Sequence, residues 1–543
     1  MADVPERLFL YDTTLRDGQQ TQGVQFSTEE KVAIVEALDD LGIDYLEAGW
    51  PGANPTDSAF FRQMPACTTS RISAFGMTKR AGRSASNDEV LAAVMNAGTT
   101  AVCLVGKTHD FHVTHALRIT REENLENIAA SIAHLVDNGR EALFDAEHFF
   151  DGYRSDPGYA LHCLFAAFEA GASWTVLCDT NGGTLPDEIG RITREVIEAG
   201  LPGNRLGIHT HNDTGTAVAG SLAAVDAGAR QIQGTLNGLG ERCGNANLIS
   251  ILPTLLLKEP YRSRFTIGVS TGGLQQLTRI SRLLDDILNR VPEKAAPYVG
   301  SSAFVHKAGL HASAVARDPS TYEHVEPASV GNQRHIPMSN QAGKSNLMAR
   351  LEEAGIKVER GDGRLTRIMD EVKQREDLGY SYDAAQASFE LLARDILGIM
   401  PRYFFVRNFR VTVEQHQDGN GKAETLSIGE AVLEVAGEER TSRFDSNNGG
   451  GKDHGPVHAL ARAINKDLGC YQSYIEDMRL VDFKVRITSG GTDAITRVII
   501  DSEDRNGRRW STVGVSPNII NASFEALLDA INWKLVQDQA PVP

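Results

Sequence analysis

The chain has 543 residues, 41% hydrophobic and 23% charged, near the averages for globular proteins, which excludes wholesale disorder. At ~150 residues per domain it holds about three or four units, fewer if one is a barrel of ~250 residues. The formal charge of −17 comes with no Lys/Arg block and no basic stripe with interleaved aromatics, which argues against nucleic acid and anionic membrane as partners.

The six cysteines (Cys67, Cys103, Cys163, Cys178, Cys243, Cys470) form no C-x-x-C pair. They read as reduced thiols of a cytosolic protein, mostly small core residues. The opening MADVPERLFLYDTTLRDG lacks a charged-then-apolar signal pattern, and the nearest approach to a membrane span, Ile251–Leu257, contains Pro253. The expected compartment is therefore the cytoplasm.

Up to about residue 290, short β-rich apolar runs alternate with longer helical patterns. The predicted strands are 8–14, 44–50, 71–77, 100–106, 141–150, 174–180, 205–211 and 231–238. Between them lie helix-like stretches such as 86–98 and 27–42; in the latter Ser27 followed by Glu30 makes a capping box and Gly42 a C-terminal stop. This alternation fits a (β/α)8 TIM barrel over 1–290 better than a doubly wound sheet, which would usually show a Gly-rich dinucleotide turn. Residues 291–400 change to Gly/Pro/Ser-rich segments and then helices, such as 381–397, and read as linker subdomains. Residues 401–543 are β-rich again, with a glycine- and polar-rich interruption at 442–456 and a closing helix at 523–536. They read as a separate C-terminal α/β domain, and no repeat at a solenoid period is visible.

In a barrel the C-terminal ends of the strands form one rim, where catalysis is found. Polar residues cluster there: Arg16 and Asp17, Glu147, Asp179 and Thr180, His209 and His211, Asn237 to Asn245. His209 and His211 lie two apart on a predicted strand, so both imidazoles face one way and can share a metal. Asp17 and Asn245 are the nearest further ligands, because strands one, seven and eight adjoin in a closed barrel. Such a mixed N/O set suits Zn²⁺, Mn²⁺, Mg²⁺ or Co²⁺ without choosing among them, although H-x-H also occurs by chance. Arg16 could hydrogen-bond a metal-held carbonyl oxygen and stabilise charge developing there; a surface Arg–Asp pair is the plainer alternative. Glu147 could act as a base or orient one, or be a salt-bridged barrel residue. The Thr180 hydroxyl could bind a carboxylate, with Gly182 and Gly183 letting backbone approach a ligand, or the segment could be a turn. His306 and His311 could move protons, although most histidines are structural or solvated.

The motifs LRDGQQ, HTHND, GLGERCGNANL and HKAGLHASAV, in that order, resemble the family of α-isopropylmalate, homocitrate and citramalate synthases, and the resemblance spans essentially the whole chain. GWPGANPTD (49–57), DAEHFFDGY (145–153) and ITSGGTDAITRVIID (487–501) are most similar to its (R)-citramalate branch, whose oxo acid is pyruvate. The resemblance implies a barrel enzyme that condenses acetyl-CoA with a 2-oxo acid, helped by a divalent metal ion. It makes Asp17, His209 and His211 metal ligands, with Asn245 a further ligand or close neighbour. Arg16 would polarise the keto oxygen, Glu147 and Thr180 would hold substrate and reacting water, and His311 with Tyr322 would act in deprotonating acetyl-CoA. In relatives the last two reach a barrel from the partner subunit, which implies an intertwined homodimer.

The tail resembles a regulatory domain that binds an end-product amino acid, isoleucine for this branch. Turns such as Ser489-Gly490-Gly491-Thr492 could place amides around its carboxylate; dimerisation alone is the alternative role. Three rivals remain. One is 2-isopropylmalate synthesis from 2-oxoisovalerate, separated by an apolar branch that gives only ~10–200-fold discrimination. Another is a metal-dependent aldol lyase, against which the HKAGLHAS segment and the C-terminal domain argue. The third, a non-catalytic protein on the same fold, is opposed by a competent side chain at every expected polar position.

Overall fold

The protein is described here by a computed structural model, over residues 5–288, 290, 292–306, 309–315, 317–334, 344–359, 361–382, 384–417, 423–445, 455–487 and 494–542. The chain forms two compact units, Met1–Phe304 with Val325–Arg334, and Val305–His324 with His335–Pro543.

Eight parallel strands close a barrel in the first unit: β1 (Phe9–Asp12), β2 (Tyr45–Gly49), β3 (Arg71–Met77), β4 (Ala101–Lys107), β5 (Glu141–Glu147), β6 (Trp174–Asp179), β7 (Leu206–Thr210) and β8 (Gln231–Gly234). They match the eight predicted strands, with ends shifted by a few residues. The stretch 141–150 stops at Glu147 because His148 takes φ +59° and starts a short helix, Phe149–Ser155. Alternation along each strand sorts the side chains. Leu10, Leu46, Ala74, Val102, Phe144 and Ile208 pack in the main core of strands and helices, whereas Tyr11, Tyr45, Phe75, Cys103, Leu143 and Cys178 form a separate cluster inside the barrel.

Helix α1 (Thr28–Leu41) has the expected capping box. Ser27 Oγ accepts the Glu30 N–H and the Glu30 carboxylate accepts the Ser27 N–H, while Gly42 at φ +96° ends the helix. Lys31 of α1 is fully buried. Its Nζ donates to the Leu15 carbonyl (2.9 Å), the Ala48 carbonyl (2.9 Å) and Asp57 Oδ1 (2.5 Å) of α2 (Pro55–Arg62). Three ammonium protons thus meet three acceptors, tying the loop after β1 and the end of β2 to the helix layer. The pattern at 86–98 forms α3 (Glu89–Asn96), capped by the Asp88 side chain.

In the second unit, α4 (Gln386–Leu397) is shorter than the predicted 381–397. Two βββα modules follow. Strands β9 (Phe404–Gln417), β10 (Ala423–Val435) and β11 (Glu438–Asp445) make one antiparallel sheet, followed by α5 (Pro456–Lys466). Strands β12 (Arg479–Ile487), β13 (Thr496–Glu503) and β14 (Arg509–Ser516) make the other, followed by α6 (Ile519–Gln537). Asn518 caps α6 through the Ile520 N–H, so that helix is longer than the predicted 523–536. The turn Ser489-Gly490-Gly491-Thr492 and residues 446–454 of the glycine-rich stretch lie outside the described residues. Only Cys103, Cys163 and Cys178 are buried, while Cys243 and Cys470 are exposed, so half rather than most of the cysteines are core residues. Among the described residues no helix is long and apolar enough to cross a membrane.

Replacing Lys31 by Met removes the cation beside the Asp57 carboxylate and the donor to two carbonyls in the core. The expected cost is about 3–5 kcal/mol, read from chemical denaturation of the variant; an unchanged midpoint would refute the role given to Lys31.

Candidate metal centre and active site

The loop after β1 is built by its own side chains. Asp12 accepts the Thr14 N–H (2.9 Å) and hydroxyl (2.8 Å), and Thr14 Oγ1 accepts the Leu236 N–H (2.8 Å) just beyond β8. Burial pushes the Asp12 carboxyl up to about 7. The Thr13 carbonyl accepts the N–H groups of Arg16, Asp17 and Gly18, a tight turn that brings Arg16 and Asp17 over the barrel end.

Asp17, His209, His211 and Asn245 are all buried and converge. His209 Nε2 lies 3.2 Å from Asp17 Oδ2 and 3.4 Å from His211 Nε2, and His211 Nε2 lies 4.0 Å from Asp17 Oδ2. Asn245 Nδ2 donates to Asp17 Oδ2 at 3.0 Å. Asn245 reaches this point through a bridge with His211. Gly240, at φ +154°, leaves it room, since a Cβ there would stand 2.3 Å from Asn245 Oδ1. Donor atoms bound to one ion at about 2.0–2.2 Å stand roughly 3.0–3.5 Å apart, close to these separations. Asp17 Oδ1, His211 Nδ1 and Asn245 Oδ1 are buried without a hydrogen-bond partner among the described residues. Burial opposes ionisation of Asp17, but Arg16 and the two histidines outweigh it and hold the carboxyl well below its usual range. Burial, and then His209, push His211 down to about 3, so it is neutral. Burial also pulls His209 down, and Asp17 and Asp145 more than reverse that. Asp17 Oδ2 and the Nε2 atoms of His209 and His211, buried and facing one another, make a set that could hold a metal cation.

Arg16 is no surface ion pair. Its Nε donates to Glu47 Oε2 (2.5 Å), its Nη1 stands 3.5 Å from Asp17 Oδ2, and its guanidinium carbon lies 3.9 Å from the Phe75 ring centroid. Glu47 also accepts the Tyr11 hydroxyl (2.7 Å) and the Thr13 hydroxyl (2.5 Å). Across the barrel, Asp145 Oδ1 accepts Gln233 Nε2 (2.9 Å), and Gln233 Oε1 stands 2.8 Å from His209 Nδ1. Burial, with Glu47 nearby, pushes Asp145 up to about 6. The sequence reading missed Glu47, Asp145 and Gln233. The available signal was their strand phase, since Asp145, Gln233 and His209 alternate with Phe144, Ile232 and Ile208, which pack outward against the helices.

The other candidates fall differently. Glu147 pairs with Lys107 Nζ at 2.6 Å and is not one of the converging four. Thr180 Oγ1 accepts the His148 N–H (2.8 Å), and its carbonyl accepts Arg242 Nη2 (2.7 Å). Gly182 takes φ +63°, and a Cβ there would stand 2.3 Å from Asp213 Oδ2, so its smallness serves packing against Asp213. His311 and Tyr322 belong to the second unit, where their rings stack at 4.1 Å; there too His306 Nε2 meets Glu323 Oε1 at 3.0 Å. A rim cluster passed over in sequence joins His112 to His109 (5.1 Å between centroids) and His148 (4.2 Å).

The closed barrel with its His/Asp group belongs to a recognisable class: residues 7–284 match the HMGL-like family. Residues 298–379 match the homocitrate synthase post-HMGL domain-like family, and 383–535 the LeuA allosteric (dimerisation) domain. The chain is 45% identical to the (R)-citramalate synthase of Aquifex aeolicus, over 98% of this chain and 99% of that one. It is likewise 45% identical to the (R)-citramalate synthase of Geobacter sulfurreducens, over 97% of each. A probable 2-isopropylmalate synthase of Methanopyrus kandleri is 33% identical, over 97% of this chain and 98% of that one. The chain belongs to the (R)-citramalate synthase family.

Calorimetry with Mn²⁺ checks the centre. Asp17→Asn is expected to weaken binding by well over ~10-fold, and Glu147→Gln to leave it nearly unchanged. Equal losses in both would move the centre elsewhere on the rim.

Proposed function

We propose that the chain catalyses the metal-dependent condensation of acetyl-CoA with pyruvate and hydrolysis of the resulting thioester, giving (R)-citramalate and CoA for isoleucine synthesis. The observation that carries this reading is the convergence of Asp17, His209, His211 and Asn245 beside Arg16, in a chain 45% identical to (R)-citramalate synthases along nearly its full length. Synthesis of 2-isopropylmalate is the alternative, with the weaker support of a 33% identical relative.

The donor spacing and the Asp17 Oδ1 that has no partner among the described residues fit a divalent ion, Mn²⁺, Mg²⁺, Zn²⁺ or Co²⁺, held by Asp17, His209 and His211 with Asn245 beside or among them. Such an ion supplies Lewis acidity to the carboxylate and ketone of the oxo acid. Arg16, fixed by Glu47 and Phe75, points its remaining N–H groups at the keto oxygen, where negative charge grows as the new carbon–carbon bond forms. Thr180 and Glu147 hold the substrate and the water that later cleaves the carbon–sulfur bond. His311, supported by Tyr322, takes part in removing a proton from the acetyl methyl, and the pair serves the barrel of the partner protomer in an intertwined homodimer. We assign catalysis to 1–290, completion of the partner's site to 291–400 and regulation to 401–543, in a cytoplasmic enzyme inhibited by isoleucine. The match of 383–535 to an allosteric domain supports the regulatory part.

CoA-thiol release from acetyl-CoA, with pyruvate, 2-oxobutyrate and 2-oxoisovalerate in parallel and with or without chelator, tests the activity. Chelator-sensitive release favouring pyruvate is expected; a preference for 2-oxoisovalerate would move the enzyme to the alternative. In the same assay a titration with isoleucine is expected to slow the pyruvate reaction, and a flat response would remove the effector.

A further inference from the structure

We infer that Gln233 and Asp145 are positioning residues for His209: Asp145 sets the direction of the Gln233 amide, and Gln233 then keeps the Nε2 lone pair of His209 facing Asp17 and His211. This rests on the reading of Asp17, His209 and His211 as a metal centre, and none of the residues assigned above covers it.

The geometry leaves one self-consistent pattern. Gln233 and Asp145 are buried inside the barrel, on β8 and β5, strands that are not neighbours in the sheet, so their hydrogen bond crosses the interior. A carboxylate only accepts. The NH2 end of the Gln233 amide therefore faces Asp145 Oδ1, at 2.9 Å. Turning the amide over would set its oxygen against the carboxylate in a site closed to water. The amide oxygen is thereby left facing His209 Nδ1, at 2.8 Å, and that nitrogen must carry the proton. A histidine that binds a metal is neutral and has one N–H, so with that proton on Nδ1 the Nε2 lone pair is left for the ion, on the side where Asp17 Oδ2 lies at 3.2 Å and His211 Nε2 at 3.4 Å. His211 has no such support, its Nδ1 being buried without a partner among the described residues. The other groups around Asp145 do not compete for the amide. Glu47 is occupied by Tyr11, Thr13 and Arg16, and the Cys103 Sγ lies within 4.8 Å of an Asp145 carboxylate oxygen as a weak donor, not a rival acceptor.

Metal affinity, measured for the full chain by competition between Mn²⁺ and a chromophoric chelator, tests the relay. Gln233→Met, which removes both bonds while keeping an unbranched side chain, is expected to weaken Mn²⁺ binding by ~10–100-fold. The double variant Asp145→Asn with Gln233→Glu exchanges amide and carboxylate and keeps both bonds. The amide introduced on β5 donates to the carboxylate introduced on β8, which still accepts from His209 Nδ1. This variant is expected to bind Mn²⁺ within a few-fold of wild type, which a packing role for Gln233 would not give. If Gln233→Met does not fold, Asp145→Asn alone, which frees the amide to turn, is expected to show an intermediate loss. Wild-type affinity in either single variant, or a double variant as weak as Gln233→Met, overturns the proposal. A wild-type chain that binds no Mn²⁺ would instead overturn the metal reading beneath it.

Discussion

The site depends on the closure of the barrel between β1 and β8. Phe9 to Asp12 pair with Gln231 to Gly234, and Thr14 extends the seam by accepting the Leu236 N–H. That seam sets the loop carrying Arg16 and Asp17 beside the loop carrying Asn245, so side chains 228 positions apart in sequence share a hydrogen bond. His209 and His211 arrive from β7, the other neighbour of β8. An open sheet would leave Asp17 at one edge and the histidines near the other.

Closure also concentrates charge. Asp17, Glu47 and Asp145 are buried in the barrel with one guanidinium, that of Arg16. Every Glu47 oxygen is taken by a donor and Asp145 by Gln233, whereas Asp17 keeps an oxygen without a partner among the described residues. Buried acids without a matching cation are costly, and that deficit is what makes the His/Asp group a place for a divalent ion. A divalent ion held there would, together with Arg16, supply local positive charge for an anionic oxo acid, which a chain of net charge −17 would otherwise repel.

Lys31 supports this arrangement from the outside. Its contacts with the carbonyls of Leu15 and Ala48 hold the residues immediately before Arg16 and immediately after Glu47. The Arg16–Glu47 contact thus rests on a buried ammonium in the helix layer. A lysine in the first turn of a helix ordinarily reads as a solvent-facing residue, although this one shares a face with the buried Ile34, Val35 and Leu38.

What the sequence by itself determined is what local physics encodes. Strand–helix alternation gave the eight strands, the Ser27/Glu30 capping box gave the start of α1, and period-two geometry put His209 and His211 on one face. Barrel closure, once assumed, was enough to add Asp17 and Asn245. Only the tertiary structure decided which acids serve those groups. Glu47, Asp145 and Gln233 sit in ordinary strand sequences and gain meaning from partners on other strands, 31 residues away for Arg16, 88 for Asp145 with Gln233 and 24 for Gln233 with His209. Thr180 and Gly182 showed the reverse: a motif that looked ready for a ligand is partly spent on holding His148 and Asp213. Hydrophobic period and capping act between residues a few positions apart and survive in a one-dimensional reading. Hydrogen bonds across a barrel interior depend on register, strand order and shear, which exist only once the chain has closed.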